Sequence, residues 1–474
     1  MPRWSLKNLG LLFGPIAAII VYFLLASSSF SGTGRTTVAI ATLMAVWWLT
    51  EAVPIPVTAL LPIVLFPALG AGEMKKVTAP YAHPLIFLFL GGFLIATASE
   101  RWDLHRRFAL MVLKRVGNSP ARLVAGFMAV TAFISLWVSN TSTVMMMLPI
   151  ATSVLAIASA EDRSDHFGIC LMLGLAYAAS IGGIGTLIGT PPNALLAAFV
   201  VNQYGTPLTF AGWLKVGLPF VVILLPICWF LLTRIVFPIR KSVGKDPRPL
   251  FEEEFKRLGP MTRAEKTVLT VFLLTAFLWI FRSLLARWLP LLSSLDDSGV
   301  AMIGGLSLFF LSAGGGKRIL DWERELPIPW GILLLFGGGL SLAEMMTQNG
   351  VTEAIGRLLS GLGTLHPLIL IFLVTTLMVF LSELTSNTAQ TAAFLPILGA
   401  VAAGIGMNPL HLLIPATIAV STAFMLPAGT PPNALVFASG KLTIAQMCRA
   451  GFLLNWVSIL VTSLVSYFLG DFLF

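Results

Sequence analysis

The 474-residue chain is short of charge. Charged residues make up 11% of it, against 57% hydrophobic, where soluble domains carry about 25% charged residues. Mean hydropathy is +0.90. A soluble surface of this size cannot be built from so few charges, which excludes a soluble enzyme, a nucleic-acid binder and a disordered scaffold. Cysteine is scarce too. Cys170, Cys228 and Cys448 lie in or beside apolar runs and offer neither a disulfide framework nor a metal-ligand spacing. Histidine occurs five times, and no nucleophile has a credible general base. The apolar spans are poor in acids and His, which argues against an intramembrane hydrolase. The Gly-rich 312–318 stretch, with Gly316-Lys317, fails the phosphate-loop spacing. The "GGIGTLIG" run at 182–189 has no strand before it, as a dinucleotide fingerprint requires.

Long apolar runs dominate instead. A bilayer crossing needs about 20 apolar residues. Candidates are 9–27, 82–99, 168–188, 213–236, 265–285, 329–347, 410–428 and 451–470. Two shorter helices are read from 36–69, broken at Pro54-Ile55-Pro56, and another from 298–313. Residues 119–160 and 366–405 differ, each being two apolar arms around a polar tip, the pattern of a re-entrant hairpin. These readings predict an all-α polytopic membrane protein with eleven transmembrane helices and two re-entrant hairpins, N-terminus inside and C-terminus outside. A signal peptide is the rival reading of the first run, but an inserted helix is simpler.

The net charge of +9 follows the same topology. Predicted inside loops are 1–8, 50–55, 100–122, 161–167, 234–266, 314–328 and 440–450. They hold every Lys and Arg except Arg35, Lys75, Lys76, Lys215, Arg282, Arg287 and Arg357, as the positive-inside rule requires. Compact loops suit a bacterial inner membrane. The polar stretch 238–264 reads as a cytoplasmic linker between halves.

Three patterns occur twice in the same order at nearly one offset. "LFLGGFL" around Gly91-Gly92 returns as "LLFGGGL" around Gly337-Gly338. Ser139-Asn140-Thr141 returns as Ser386-Asn387-Thr388. "GTPPNAL" at 189–195 returns unchanged at 429–435. The chain is therefore a duplication of five-helix repeats. The stretch after the first GG span carries Arg101, Arg106, Arg107, Lys114, Arg115 and Arg122, while its counterpart 348–366 has only Arg357. The repeats are thus inverted, a transporter architecture with a site at the midplane. The predicted organisation is an N-terminal helix at 1–33, a first repeat at 34–237, the linker at 238–264 and a second repeat at 265–474.

Polar backbone at membrane depth is tolerated where protein buries it or a wet cavity is lined by it. Ser and Asn are good N-caps, so the second arm of each hairpin starts at its SNT tip. Each GTPPN motif ends one half-helix and starts another, with Pro in the first turn. That gives four helix N-termini, each worth about +0.5 charge, facing C-terminal carbonyls that suit a small hard cation. The motifs contain no Lys, Arg or His. A dianion there draws its balance from dipole ends and from bound cations, which is the physical reason to expect Na⁺ coupling.

Paired SNT tips and paired TPPN breaks, with the stretch "WLTEAVPIPVTALLP" at 48–62, resemble the divalent-anion:sodium symporter family, the solute carrier 13 class of dicarboxylate, citrate and sulfate transporters. The likeness runs along nearly the whole chain, and the type is that of bacterial sodium/dicarboxylate symporters. The resemblance implies a homodimer whose protomers each hold a scaffold (34–118 and 265–365) and a transport body (119–237 with the inner hairpin, 366–474 with the outer one) that moves like an elevator. It implies one Na⁺ site from Ser135, Ser139, Asn140 and the Gly189 backbone, and a second from Ser382, Ser386, Asn387 and the Gly429 backbone. Substrate would meet Ser139, Asn140, Thr141, Thr190, Ser386, Asn387, Thr388 and Thr430, with Pro191 and Pro431 shaping the pocket. The expected activity is Na⁺-coupled import of succinate, malate or fumarate, with no catalytic residue. A sodium-independent dicarboxylate exchanger, citrate or sulfate as substrate, and an anion channel are the alternatives. Ser142-Thr143 follows one tip and Ala389-Gln390 the other, and Gln390 has no assigned role. Glu51, Glu344 and Glu383 lie in or near apolar spans, where acids are functional candidates by default. Glu383, close to Asn387, is the strongest of them for a cation or proton role, yet a structural role is favoured for it.

Overall fold

A computed structural model describes residues 6–27, 30–117, 119–158, 166–239, 247–288, 292, 294–323 and 327–473. Helix α1 (Leu6–Leu24) precedes two series of helices that run in the same order. The first comprises α2 (Gly32–Thr50), α3 (Ile55–Ala68), the short α4 (Met74–Thr78), α5 (Pro84–Arg101), α6 (Leu104–Leu113), α7 (Pro120–Ser135), α8 (Asn140–Ala158), α9 (His166–Ile184), α10 (Pro191–Tyr204) and α11 (Phe210–Phe230), which runs on as a π-helical turn. After α12 (Arg248–Arg257) the order returns as α13 (Arg263–Leu285), α14 (Asp297–Phe310), α15 (Trp330–Gln348), α16 (Val351–Leu358), α17 (Pro367–Ser382), α18 (Asn387–Gly404), α19 (Leu410–Val420), α20 (Pro431–Ala438) and α21 (Ile444–Leu473). A two-stranded hairpin, Ser312–Gly314 with Lys317–Arg318, is a small addition to the expected all-helical chain.

Local chemistry sets the helix ends. Ser31, Thr209, Thr262 and Asp296 accept backbone N–H bonds at the starts of α2, α11, α13 and α14, which satisfies donors that a helix N-terminus otherwise leaves unpaired. His83 and His366, each followed by Pro at N1, cap α5 and α17 through Nδ1. The Pro54-Ile55-Pro56 break separates α2 from α3 as expected, with Glu51 turning the chain at φ 47°.

The duplication persists in the packing. Helix α5 of the first series lies on α14 of the second, and α15 of the second lies on α3 of the first. A Cβ on Gly91 would strike the backbone of Ala301, and one on Gly338 would strike the backbone of Ala59. These contacts explain the repeated GG pairs: small residues let membrane helices approach closely. Likewise α7 lies on α9, and α17 on α19. Helix α9 is at the centre, with 94% of its apolar window buried, while α1 is peripheral at 17%. Among the described residues, seven helices are long and apolar enough to cross a membrane, and shorter apolar helices include α3, α7, α14, α17 and α19.

The expected linker at 238–264 holds more structure than anticipated. Helix α12 docks on α6: Phe251 is fully buried, Arg106 pairs with Glu254 at 2.8 Å, and Arg107 donates to the Leu258 and Gly259 carbonyls just after α12. Residues 240–246 of that segment, and 161–165 of the expected inside loop at 161–167, lie outside the described residues. The span expected at 410–428 stops at Val420, because the following ten residues are the break before the second GTPPN helix.

Candidate functional site

Two half-sites are built on one plan. At the first tip, α7 ends at Ser135 and α8 begins at Asn140. Ser135 Oγ lies 2.6 Å from Asn140 Oδ1 and 2.8 Å from the Ala179 carbonyl of α9. At the second tip, Ser382 Oγ lies 2.5 Å from Asn387 Oδ1 and 2.7 Å from the Val420 carbonyl of α19. Each hydroxyl has one proton and faces two acceptors. Each cluster is therefore three neutral oxygens with one hydrogen between them, placed where one hairpin arm ends and the next begins, against a helix carbonyl. Such a donor set fits a small hard cation, and half-helix C-termini with unwound carbonyls are where transporters hold Na⁺.

The expected site residues are distributed unevenly around these clusters. Ser139 caps α8, accepting from the Ser142 N–H at 3.2 Å. Ser386 occupies the same cap position on α18, where its side chain accepts no capping bond. Thr141, Ser386 and Thr388 are half-buried and Ser139 is exposed. Thr190 and Thr430 are the N-caps of α10 and α20, at 6% and 4% exposure. Thr430 Oγ1 accepts from the Asn433 N–H at 3.3 Å. Pro191 and Pro431 open those helices, as expected for N1 proline.

Gly189 reaches the first cluster through a second glycine. A Cβ on Gly189 would come 2.5 Å from the Gly183 carbonyl oxygen, and a Cβ on Gly183 would come 2.5 Å from Asn140 Oδ1. Only glycine allows these three to stack. Gly429 sits differently, against Glu383 and Ala423.

The two half-sites are joined. Helix α8 packs on α20, and α10 packs on α18, so each tip arm meets the break helix of the other half. Tyr177 of α9 donates to the Phe424 carbonyl in the second break at 2.8 Å.

Two further residues carry the breaks. Asn193, fully buried, directs Nδ2 at the carbonyls of Gly183 (3.0 Å), Ile184 (3.3 Å) and Thr186 (2.7 Å). Asn433 does the same toward Ala423 (3.2 Å) and Leu426 (3.1 Å). These amides hold the last carbonyls of α9 and the unwound chain after α19. The repeated GTPPN contained that signal, which the sequence reading assigned to its Thr and Pro alone. Glu383 is the second. Its Oε1 accepts from the N–H groups of Phe424 (2.7 Å) and Met425 (2.9 Å) and from Asn455 Nδ2 (2.7 Å), and Oε2 accepts from Leu426 N–H (2.9 Å). The favoured structural role fits this geometry. Leu136 stands at the corresponding place in the first half, where its carbonyl accepts from the Thr186 hydroxyl at 2.5 Å.

The other uncertain residues also find places. Gln390 bonds the Met378 carbonyl at 2.9 Å and ties the two arms of the second hairpin. Glu51 pairs with Lys7 at 3.7 Å at the surface. Glu344 accepts from Asn202 of α10 at 3.0 Å.

The family model described as "Sodium:sulfate symporter transmembrane region" matches residues 6–474. The chain belongs to this symporter family. Relatives within reach include the sodium-dependent dicarboxylate transporter SdcS of Staphylococcus saprophyticus, 40% identical over 470 residues, which spans 97% of this chain and 91% of the relative. SdcS of Staphylococcus aureus strain MRSA252 is 38% identical over 473 residues, with the same shares. Among solved structures, the Alcanivorax borkumensis YdaH transporter superposes with a TM-score of 0.60 at 13% identity, covering 91% of this chain and 98% of that one. Neisseria gonorrhoeae MtrF gives 0.60 at 15% identity, covering 98% and 95%. At such identities these two establish the fold alone, a helical membrane-transporter fold. Membership of the symporter family makes the protein a transporter and not an enzyme.

Proposed function

We propose that the protein imports small dicarboxylates such as succinate, malate or fumarate together with Na⁺. The twin Ser–Asn–carbonyl clusters carry this reading. They offer two cation positions made of neutral oxygen, beside hydroxyls that can receive carboxylates, with no cationic side chain in the SNT or GTPPN motifs. A dianion bound there needs positive charge. Four helix N-termini supply nominally about +2, and opposed C-termini cancel much of it. Sodium at Ser135, Ser139, Asn140 and Gly189, and at Ser382, Ser386, Asn387 and Gly429, supplies the rest. The printed names of the SdcS relatives agree with both solutes.

In the proposed mechanism Na⁺ binds first and draws the Asn140 and Asn387 side chains into fixed positions. The dianion then bridges the two tips through Ser139, Asn140, Thr141, Ser386, Asn387 and Thr388, with Thr190 and Thr430 behind them. Residues 119–237 and 366–474 form the body that carries substrate, and 34–118 with 265–365 form the scaffold, in a chain of eleven spans and two hairpins. The N-terminus is cytoplasmic and the C-terminus is outside. The protein works as a homodimer in a bacterial inner membrane.

The test is succinate uptake into proteoliposomes under an inward Na⁺ gradient, with K⁺ in place of Na⁺, and with dicarboxylate preloaded inside. Accumulation that requires the Na⁺ gradient supports symport. Uptake that requires internal dicarboxylate and ignores Na⁺ makes the protein an exchanger.

A further inference from the structure

A cavity of about 310 Å³ opens between α6, α13 and the tip end of α7. It falls within the ~300–1,000 Å³ range of small-molecule pockets. Its walls are apolar: Leu104, Phe108 and Met111 come from α6, and Leu269, Phe272 and Leu273 from α13. Trp137 and Val138 form its inner end. These two also border a void of about 20 Å³ that reaches Ile188, the residue before Gly189. The cavity therefore touches the first half-site from behind.

Its polar lining is already engaged, with one exception. Arg107 is bound to Glu265 and to the Leu258 and Gly259 carbonyls. Ser99 donates to the Ile95 carbonyl at 3.0 Å, and His105 Nδ1 lies 2.8 Å from the Ser99 carbonyl. Only the Trp137 indole N–H is buried there without a partner. One donor in an apolar chamber cannot bind a dicarboxylate, so the chamber is no part of the substrate path. Phe133, 44% exposed, and Leu273, 55% exposed, flank it. In a bilayer those side chains face hydrocarbon.

Charge stands at one end. Lys266 shares the α13 face of Leu269 and Leu273, at i, i+3 and i+7. Arg115 lies in the turn two residues past the end of α6, beyond Met111. Both are exposed. We propose that the cavity holds one acyl chain of an anionic phospholipid from the cytoplasmic leaflet, with the headgroup over Lys266 and Arg115. Anionic lipid is attracted by basic residues at the cytoplasmic surface, and the apolar chamber takes the chain. Lodged between α13 and Trp137-Val138, the lipid wedges the first hairpin against the scaffold. The leaflet and the wedging rest on the orientation and the two-body arrangement proposed above.

The test is lipid retention by the full-length protein, purified in detergent and examined by native mass spectrometry with added phosphatidylglycerol or phosphatidylcholine. Phosphatidylglycerol should be retained preferentially. The Lys266→Gln/Arg115→Gln double variant should weaken its retention by about fivefold per charge removed, and phosphatidylcholine retention should not change. Leu269→Trp, which fills the chamber, should abolish retention of both lipids. Equal retention of the two lipids by the unaltered protein, or unchanged phosphatidylglycerol retention in the surface double variant, overturns the proposal. That double variant alters only exposed side chains, so it remains readable if Leu269→Trp does not fold. Retention is measured without transport: a failed uptake assay strikes the transport reading, and absent phosphatidylglycerol preference strikes this one.

Discussion

Asn455 of α21 donates to Glu383 at 2.7 Å, and the same carboxylate receives three backbone N–H groups from the break before the second GTPPN helix. Both side chains are buried, at 0% and 3% exposure. A buried carboxylate is costly to hold unless donors surround it. Here each donor is neutral, so the charge remains uncancelled beside Gly429. It fixes the unwound chain and adds negative potential near the second cation cluster.

Glu383→Gln keeps the shape and removes the charge, and its amide NH₂ must face at least one backbone N–H. Hydrogen bonds to charged groups are worth about 1.5–3 kcal/mol each. We expect a stability loss of about 2 kcal/mol, seen as a lower thermal midpoint, and a raised Na⁺ half-saturation for uptake. A variant with wild-type stability and Na⁺ dependence would show that the carboxylate does neither job.

Asn140 and Asn387 each supply one oxygen of a three-oxygen cluster and stand at the first turn of a tip arm. Asn140→Ala or Asn387→Ala leaves the Ser135 or Ser382 hydroxyl bonded to its carbonyl, so the fold should lose only about 1 kcal/mol. Sodium-dependent uptake should vanish in either variant while the protein stays folded by circular dichroism. Normal uptake by both would remove these residues from the site.

Asn193 aims its amide at three carbonyls at once. Asn193→Asp is nearly isosteric but exchanges the donor for an acceptor, setting carboxylate oxygen against carbonyl oxygen. We expect a loss of about 3 kcal/mol in stability. Uptake should fall together with Na⁺ affinity, because the carbonyls of α9 would move apart. The matching Asn433→Asp change addresses two carbonyls and should be milder. Thermal denaturation of the pair, ranked against each other, checks this.

The half-sites were largely legible in the sequence because duplication marked them. A single Ser-Asn-Thr in an apolar run reads as a cap, whereas two copies in register with two GTPPN breaks specify tips, helix starts and facing carbonyls. Ser135 and Ser382 were implied by the family resemblance alone, and the fold sets each against the tip Asn five residues on. Glu383 was harder. Its partners lie more than 40 residues away in a segment without helical period, and its first-half counterpart is Leu136, so no repeat announced its role. Gln390 likewise bonds a carbonyl twelve residues back, across the hairpin. Helix α12 was hidden by its charge: Phe251 and Phe255 are spaced to face one side, but acidic and basic neighbours made the run read as a linker. The chamber behind Trp137 arises from three elements separated along the chain, and no local pattern encodes it.

Two side-chain contacts join α10 of the proposed transport body to α15 of the scaffold, besides the Phe210 N–H bond to Asp297. Asn202 of α10 donates to Glu344 of α15 at 3.0 Å, and Thr347 donates to Gln203 at 2.7 Å. Gln348 steadies the same carboxylate at 2.7 Å. If α10 travels with substrate and α15 stays, these bonds exist in only one end state and bias the protein toward it. Exposed polar contacts of this kind contribute about 0.2–1 kcal/mol. Glu344→Ala should therefore shift the balance of end states by no more than about fivefold, and should alter turnover without moving the Na⁺ half-saturation. Distances between spin labels on α10 and α15, recorded with and without Na⁺ and succinate, measure that balance directly. A wild-type distance distribution in Glu344→Ala would mean that the contact is incidental. A single distance in every condition would mean that α10 and α15 move as one body, and the division into carrier and scaffold would have to be drawn elsewhere.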